Sequence, residues 1–213
     1  MSSYLVPALF WIGIVLLGLA LFMIIVRIIR RFIHFPIPSV IAQVIDNPVR
    51  RLMQPPKQVI EWIGIEKGMR ILELGPGPGT FTIEAAIHAE RGQVLAVDIQ
   101  PAVISTLLKR LCKENIANVV AMVASAYELP FSADTFDCVF MVTVLAEIPD
   151  RKRALHEIKR LLRKSGFLAI GEFLPDPDYP RQKTVISWCK EAGFKLVDEH
   201  RGVFHYVLKF QSI

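Results

Sequence analysis

Twenty-three consecutive residues, Tyr4 to Val26, carry no charge. No other feature restricts the possible folds so sharply. As an α-helix the run extends about 34 Å at 1.5 Å per residue, enough to cross a hydrocarbon core of about 30 Å. A helix in a globular core rarely needs such a length. A cleaved signal peptide would carry basic residues ahead of the apolar stretch and small residues at a cleavage site behind it. Here no Lys or Arg precedes Tyr4, and Arg27, Arg30 and Arg31 follow the stretch. The reading is a single transmembrane helix with its basic flank over residues 1–33. The excess of arginine on its C-terminal side predicts that the domain behind it faces the cytosol. This segment also holds most of the apolar excess behind the mean hydropathy of +0.41.

Residues 34–56 form a connector containing Pro36, Pro38, Pro48, Pro55 and Pro56. Val40, Ile41, Val44 and Ile45 have helical spacing between the prolines. Two readings remain open: an amphipathic helix lying on the membrane, or a helix packed on the domain. The formal charge of +5 admits nucleic acid or a membrane surface as partner. Arg27, Arg30, Arg31, Arg50 and Arg51 follow the apolar run closely, which suits anionic lipid head groups. There is no RNA-binding signature, so nucleic acid is not expected. Cys112, Cys138 and Cys189 stand far apart with no CxxC or Cys/His cluster, so no metal site is expected and the thiols read as free and buried in a reducing compartment.

From residue 57 to 213 strand and helix patterns alternate. Helices are predicted over Lys57–Ile63, Thr80–Ala89, from Pro101, over Arg153–Lys164 and over Gln182–Ala192. Strands are predicted over Met69–Leu74, Gln93–Val97, Val119–Val123, Phe136–Val142 and Phe167–Phe173. Phe136–Val142 is apolar on both faces and reads as central. Lys195–Glu199 and Val203–Phe210 lie too close together for a helical crossover and should pair antiparallel. The pattern is that of one open, mostly parallel α/β sheet covered on both faces, with ligands at the carboxyl ends of its strands.

The first strand runs into Glu73-Leu74-Gly75-Pro76-Gly77-Pro78-Gly79. Glycines between strand and helix let backbone approach a ligand, and the helix N-terminus favours an anion. Asp98 ends the second strand, where a carboxylate accepts hydrogen bonds from both ribose hydroxyls. A polyphosphate loop would need Gly-Lys-Ser/Thr, which is absent. Pro76 and Pro78 also remove two N–H donors from the loop.

On these residues the chain resembles the class I S-adenosylmethionine-dependent methyltransferases, in the branch that includes small-molecule, quinone and lipid methyltransferases. The resemblance runs from about Met53 to the C-terminus. It implies a Rossmann-like, mostly parallel seven-stranded sheet with an antiparallel last strand. It implies S-adenosyl-L-methionine as cofactor, with Glu73, Gly75, Pro76, Gly77 and Gly79 around the methionine part, Asp98 on the ribose and Ile99 beside the adenine. Ala124-Ser125-Ala126-Tyr127-Glu128-Leu129-Pro130-Phe131 resembles the third motif. Ser125 stands there where relatives often carry Asp, with Ala126 next to it. Phe136–Val139 through Leu145–Asp150 resembles the fourth motif, placing Thr143 near the cofactor, and Gly166 with Phe167–Phe173 resembles the fifth.

Methyl transfer from a sulfonium is an in-line displacement, so the enzyme chiefly supplies position. A base is needed only if the nucleophile must lose a proton. Thr143, Glu147 and Glu172 are near the acceptor by position, and Glu172 also reads as a carboxylate that orients a loop. Glu147 stands where relatives often have histidine. His205 and Tyr206 read as packing residues. No catalytic base is assigned. The short Leu174–Arg181 connection has no lid insertion, and with the anchor it predicts an apolar acceptor: a lipid, a prenylated ring compound or a small thiol. A methyltransferase of membrane proteins and a non-catalytic anchored scaffold are the competing readings. The Asn/Asp-Pro-Pro-Tyr/Phe signature of many N-methylating relatives is absent after strand four.

Overall fold

The computed structural model describes residues 47–213 continuously and ten isolated residues between Pro7 and Val26. The span expected over Tyr4–Val26 therefore falls mostly outside the described residues, as does connector 34–46. Among the described residues no helix is long and apolar enough to cross a membrane.

Seven strands form one sheet in the order β3-β2-β1-β4-β5-β7-β6. They are β1 (Arg70–Leu74), β2 (Gln93–Asp98), β3 (Val119–Val123), β4 (Phe136–Val142), β5 (Leu162–Phe173), β6 (Phe194–Arg201) and β7 (His205–Ser212). The pairings from β3 to β5 are parallel, and β7 is antiparallel to both β5 and β6. The predicted sheet and the central place of β4 agree with this arrangement. Strand β6 runs in the direction of the parallel strands, so the β6–β7 turn emerges at their carboxyl edge.

The helices are α1 (Pro48–Met53), α2 (Pro56–Ile63), α3 (Thr80–Ala89), α4 (Pro101–Lys113), α5 (Arg151–Leu161) and α6 (Gln182–Glu191). Side chains of β4 alternate between two layers, as the strand period of two requires. Phe136, Val139 and Met141 join Leu155 and Ile158 of α5 and Val185 of α6. Cys138, Phe140 and Val142 join Ile60 of α2 and Ala85 of α3 on the other face. Cys138 and Cys189 are buried, but Cys112 is exposed, because it sits on the solvent side of α4.

Several boundaries differ from expectation. Asp150 accepts the Arg153 N–H at 3.0 Å and starts α5 at Arg151, two residues early. The same helix ends at Leu161 rather than Lys164, since Leu162 turns extended (φ −73°, ψ 135°) and pairs with Phe136. Residues after it bulge before Phe167 pairs with Cys138. Gly166 permits this bulge: a Cβ there would come within 2.9 Å of the Phe136 carbonyl oxygen. At the hairpin, Val203 and Phe204 belong to the turn and β7 begins at His205.

Within the connector residues 48–53 form a helix, whereas the helix expected around Val40–Ile45 lies outside the described residues. Asn47 caps α1 by accepting the Arg50 N–H at 3.0 Å. This helix packs on the domain: the Met53 carbonyl lies 3.1 Å from His205 Nδ1. His205 and Tyr206 are both buried, as expected of packing residues.

Candidate active site

At the carboxyl edge, β1 gives way to three glycines in left-handed conformation: Gly75 (φ 69°), Gly77 (φ 53°) and Gly79 (φ 91°). They serve different ends. A Cβ on Gly75 would collide with Val144 Cγ2, so this glycine lets β1 lie against the end of β4. A Cβ on Gly79 would meet Leu107 Cδ1 at 2.5 Å, so Gly79 seats the loop on α4. A Cβ on Gly77 would meet nothing within 4 Å, because Gly77 faces a cavity. Arg110 of α4 pins the turn, donating to the Pro78 carbonyl and to Thr80 Oγ1, each at 3.1 Å.

That cavity runs along the carboxyl ends of β1, β2 and β4. Its wall includes Gly75, Pro76, Gly77, Asp98, Ile99, Ser125, Ala126, Thr143 and Glu147. Nine of the twelve residues expected at the site thus come together. Glu73, Gly79 and Glu172 are not on the wall.

Asp98 accepts the Gln100 N–H at 2.8 Å. Burial raises its pKa, while the backbone N–H groups of Gln100 and Ile99 oppose the rise. Ser125 Oγ accepts the Tyr127 N–H at 3.3 Å, which leaves its hydroxyl hydrogen available to donate. Glu73 is buried to 2% exposure, and one carboxyl oxygen, Oε2, has no hydrogen-bond partner. Burial pushes its pKa up to about 8, with the Asp98 charge adding to the rise.

The far end of the cavity is polar. Thr143 adopts φ 58°, uncommon for a β-branched residue. Its Oγ1 donates to the Val142 carbonyl at 2.7 Å and accepts from Arg50 Nη2 at 3.1 Å. The Arg50 guanidinium also lies 5.3 Å from the Phe173 ring centroid. Arg50 and Asp176 line the cavity with Glu147. Glu172, on β5 beneath them, is 1% exposed rather than solvated. Burial raises its pKa well above the ordinary value, the Asp176, Glu147 and Asp178 charges add to this, and Arg50 opposes it. Glu172 is therefore buried rather than solvated, and its surroundings disfavour the charged form.

Sequence reasoning missed Arg50 and Asp176. Arg50 and Arg51 read there only as part of a basic flank suited to lipid head groups or topology control; in the structure Arg50 lines the cavity and Arg51 donates to Thr80 Oγ1 at 3.3 Å. Asn47-Pro48 and Pro55-Pro56 bracket a short helix in the sequence, yet nothing in that pattern says which face meets the domain.

A glycine turn at the first strand, an acidic end on the second and a cavity between them define an α/β protein for a nucleoside-type donor. The sequence profile of a methyltransferase domain matches residues 65–206. The chain therefore belongs to the methyltransferase-domain family, and S-adenosyl-L-methionine is its cofactor. It is similar to the ubiquinone/menaquinone biosynthesis C-methyltransferase UbiE of Klebsiella pneumoniae, 31% identical over 66% of this chain and 72% of that protein. UbiE of Haemophilus ducreyi is 33% identical over 54% of this chain and 45% of that protein. The chain spans about half the length of several curated relatives it matches. Among solved structures, an S-adenosylmethionine-dependent methyltransferase from Aquifex aeolicus shares the fold with a TM-score of 0.78 at 21% identity, covering 84% of this chain and 100% of that one.

The residues present fit this cofactor. Gly77 leaves open space, Asp98 is placed to accept from a diol, and Ile99 and Ala126 supply apolar wall for a base. The orphaned oxygen of Glu73 is a buried acceptor one residue before the wall begins at Leu74.

Proposed function

We propose that this chain is a membrane-held methyltransferase whose acceptor is apolar and ring-like, of the quinol kind, methylated at carbon. One observation carries the reading: a single cavity joins the glycine loop and Asp98 to a second polar group around Arg50, Thr143 and Glu147. The similarity to ubiquinone/menaquinone biosynthesis C-methyltransferases supports carbon as acceptor atom. The open Leu174–Arg181 connection and the uncharged run Tyr4–Val26 support delivery from a membrane, with residues 1–33 as anchor and the domain in the cytosol. Residues 57–213 form the catalytic unit in this reading, and α1 of the connector supplies Arg50 to it.

When bound, the sulfonium supplies an electrophilic methyl group and leaves as a neutral thioether. The protein supplies position. Asp98 holds the ribose diol, and Gly77 lets backbone approach the donor. Arg50, fixed by Thr143 and Phe173, holds the oxygen of the acceptor ring and favours its anionic form, which enriches the neighbouring ring carbon in electrons. Methylation there forms a carbon–carbon bond, and the ring carbon must lose its proton. Glu147 and Asp176 are the wall carboxylates of the same polar end, and Glu147, on the loop after β4, takes that proton.

Full-length protein in lipid, labelled methyl donor and a short-chain prenylated hydroquinone test the reading. The expected product is a ring-methylated quinol. Label on a polar amine or on protein, with none on the quinol, would overturn it.

A further inference from the structure

Helix α1 is turned inside out for a surface helix. Its polar Arg50 reaches into the cavity, while Val49 and Leu52, three apart and on one face, are 64% and 82% exposed. The inward side is fixed by Arg50 on Thr143 and by the Met53 carbonyl on His205. The apolar outward face is thus set by the domain and is not a loose end.

A second element meets it at the same edge. The β6–β7 turn presents Val203 at 84% exposure and Phe204 at 38%. The Leu174 N–H donates to the Phe204 carbonyl at 2.7 Å, and Leu174 is itself 42% exposed. Leu174 stands two residues before Asp176 of the cavity wall. Arg50 lies against Phe173, and His205 follows Phe204 directly, so the two elements are neighbours. Exposed apolar residues from three separate stretches, 49–52, 174 and 203–204, therefore lie on adjoining elements, beside the wall residues Arg50 and Asp176 in the chain. Single exposed apolar side chains are ordinary; a group gathered at the rim of a cavity marks an interaction surface.

The sequence also indicates which partner covers it. Only 20 residues lie between Val26 and Asn47. Fully extended they reach about 70 Å, and as helix about 30 Å. A bilayer-crossing run over Tyr4–Val26 would hold this rim within that distance of the lipid surface, with Arg27, Arg30 and Arg31 at the cytoplasmic boundary. We propose that the rim of Val49, Leu52, Leu174, Val203 and Phe204 seats on the bilayer surface, so that the acceptor end of the cavity opens toward the lipid. The inference rests on the membrane tether of the preceding section and adds to it the docking face and the orientation. An apolar acceptor then passes from bilayer to Arg50 without crossing water.

The test uses full-length protein in vesicles of phosphatidylcholine and phosphatidylglycerol, in a Cys112→Ser background. A polarity-sensitive fluorophore is placed at Leu52→Cys, at Val203→Cys, and at Arg91→Cys on the opposite, amino edge of the sheet. Calorimetry with S-adenosylmethionine confirms that each labelled protein is folded. Quenching by a spin-labelled lipid is then compared with quenching by aqueous iodide. The expected result is lipid quenching at 52 and 203 at least threefold above that at 91, with shielding from iodide. Equal iodide quenching at all three sites overturns the proposal. Shielding from iodide without lipid quenching also overturns it, and gives the face to another part of this chain or to a second copy. The readout needs no turnover. Lipid quenching without methylation of the quinol keeps the docking face and removes the acceptor reading, and methylation without lipid quenching does the reverse.

Discussion

In the proposed function Asp98 and Arg50, both on the cavity wall, divide it between two tasks. Asp98 ends β2 with its carboxyl fixed by the Gln100 N–H, so it meets the donor without rearrangement. Replacing it with alanine removes charge-assisted hydrogen bonds worth about 1.5–3 kcal/mol, or roughly 10- to 100-fold in affinity. Calorimetry on Asp98→Ala should show cofactor binding weakened by that factor with the fold intact. Arg50→Gln should instead leave cofactor affinity unchanged and raise the acceptor KM by about tenfold, the loss of one charge-assisted contact. Equal weakening of both ligands would remove the division. Glu73 offers a pH test. Its folded pKa, about 8, lies above the unfolded value near 4.5. Between those values the folded state holds a proton that the unfolded state has released. Stability from this group is complete below about pH 4.5 and is lost as pH rises through about 8. Melting temperature without cofactor should therefore fall across this window in the wild type, and fall less in Glu73→Gln.

At the scale of elements, the glycine loop and Asp98 were legible because each follows from strand-end chemistry. The three glycines look equivalent in sequence but are not. A side chain at Gly77 would find open space, whereas Gly75 and Gly79 make room for Val144 and Leu107. Those partners come from 69 and 28 positions away along the chain, so no local pattern could reveal them. Arg110 is a similar case: a basic residue on an amphipathic helix that turns out to hold the loop. Arg110→Ala should raise the cofactor dissociation constant roughly fivefold, about 1 kcal/mol, without changing the acceptor KM. Boundaries drifted where a single residue ruled them. Asp150 capped α5 early, and Leu162 entered the sheet where the helical spacing of apolar residues still ran on. The inward turn of α1 was hidden because its prolines mark its ends and not its faces.

For the molecule as a whole, the alternation of strands and helices was enough to give the sheet, its central strand and its antiparallel β7. The same alternation said nothing of what the sheet acts on. Function enters through the cavity at the carboxyl edge, where the cofactor end is built from β1, β2 and their loops and the acceptor end from β4, β5 and α1. Because α1 precedes the methyltransferase domain at residues 65–206, acceptor selection in the proposed function would depend on a segment outside the family's shared part. In the proposed function the methyl group goes to an apolar, membrane-borne acceptor. The most direct measurement incubates full-length protein in lipid with methyl-labelled S-adenosylmethionine and an extract of host membranes, beside Asp98→Ala. The expected result is label in the organic phase, lost in the variant. Label confined to aqueous metabolites or to protein would contradict it.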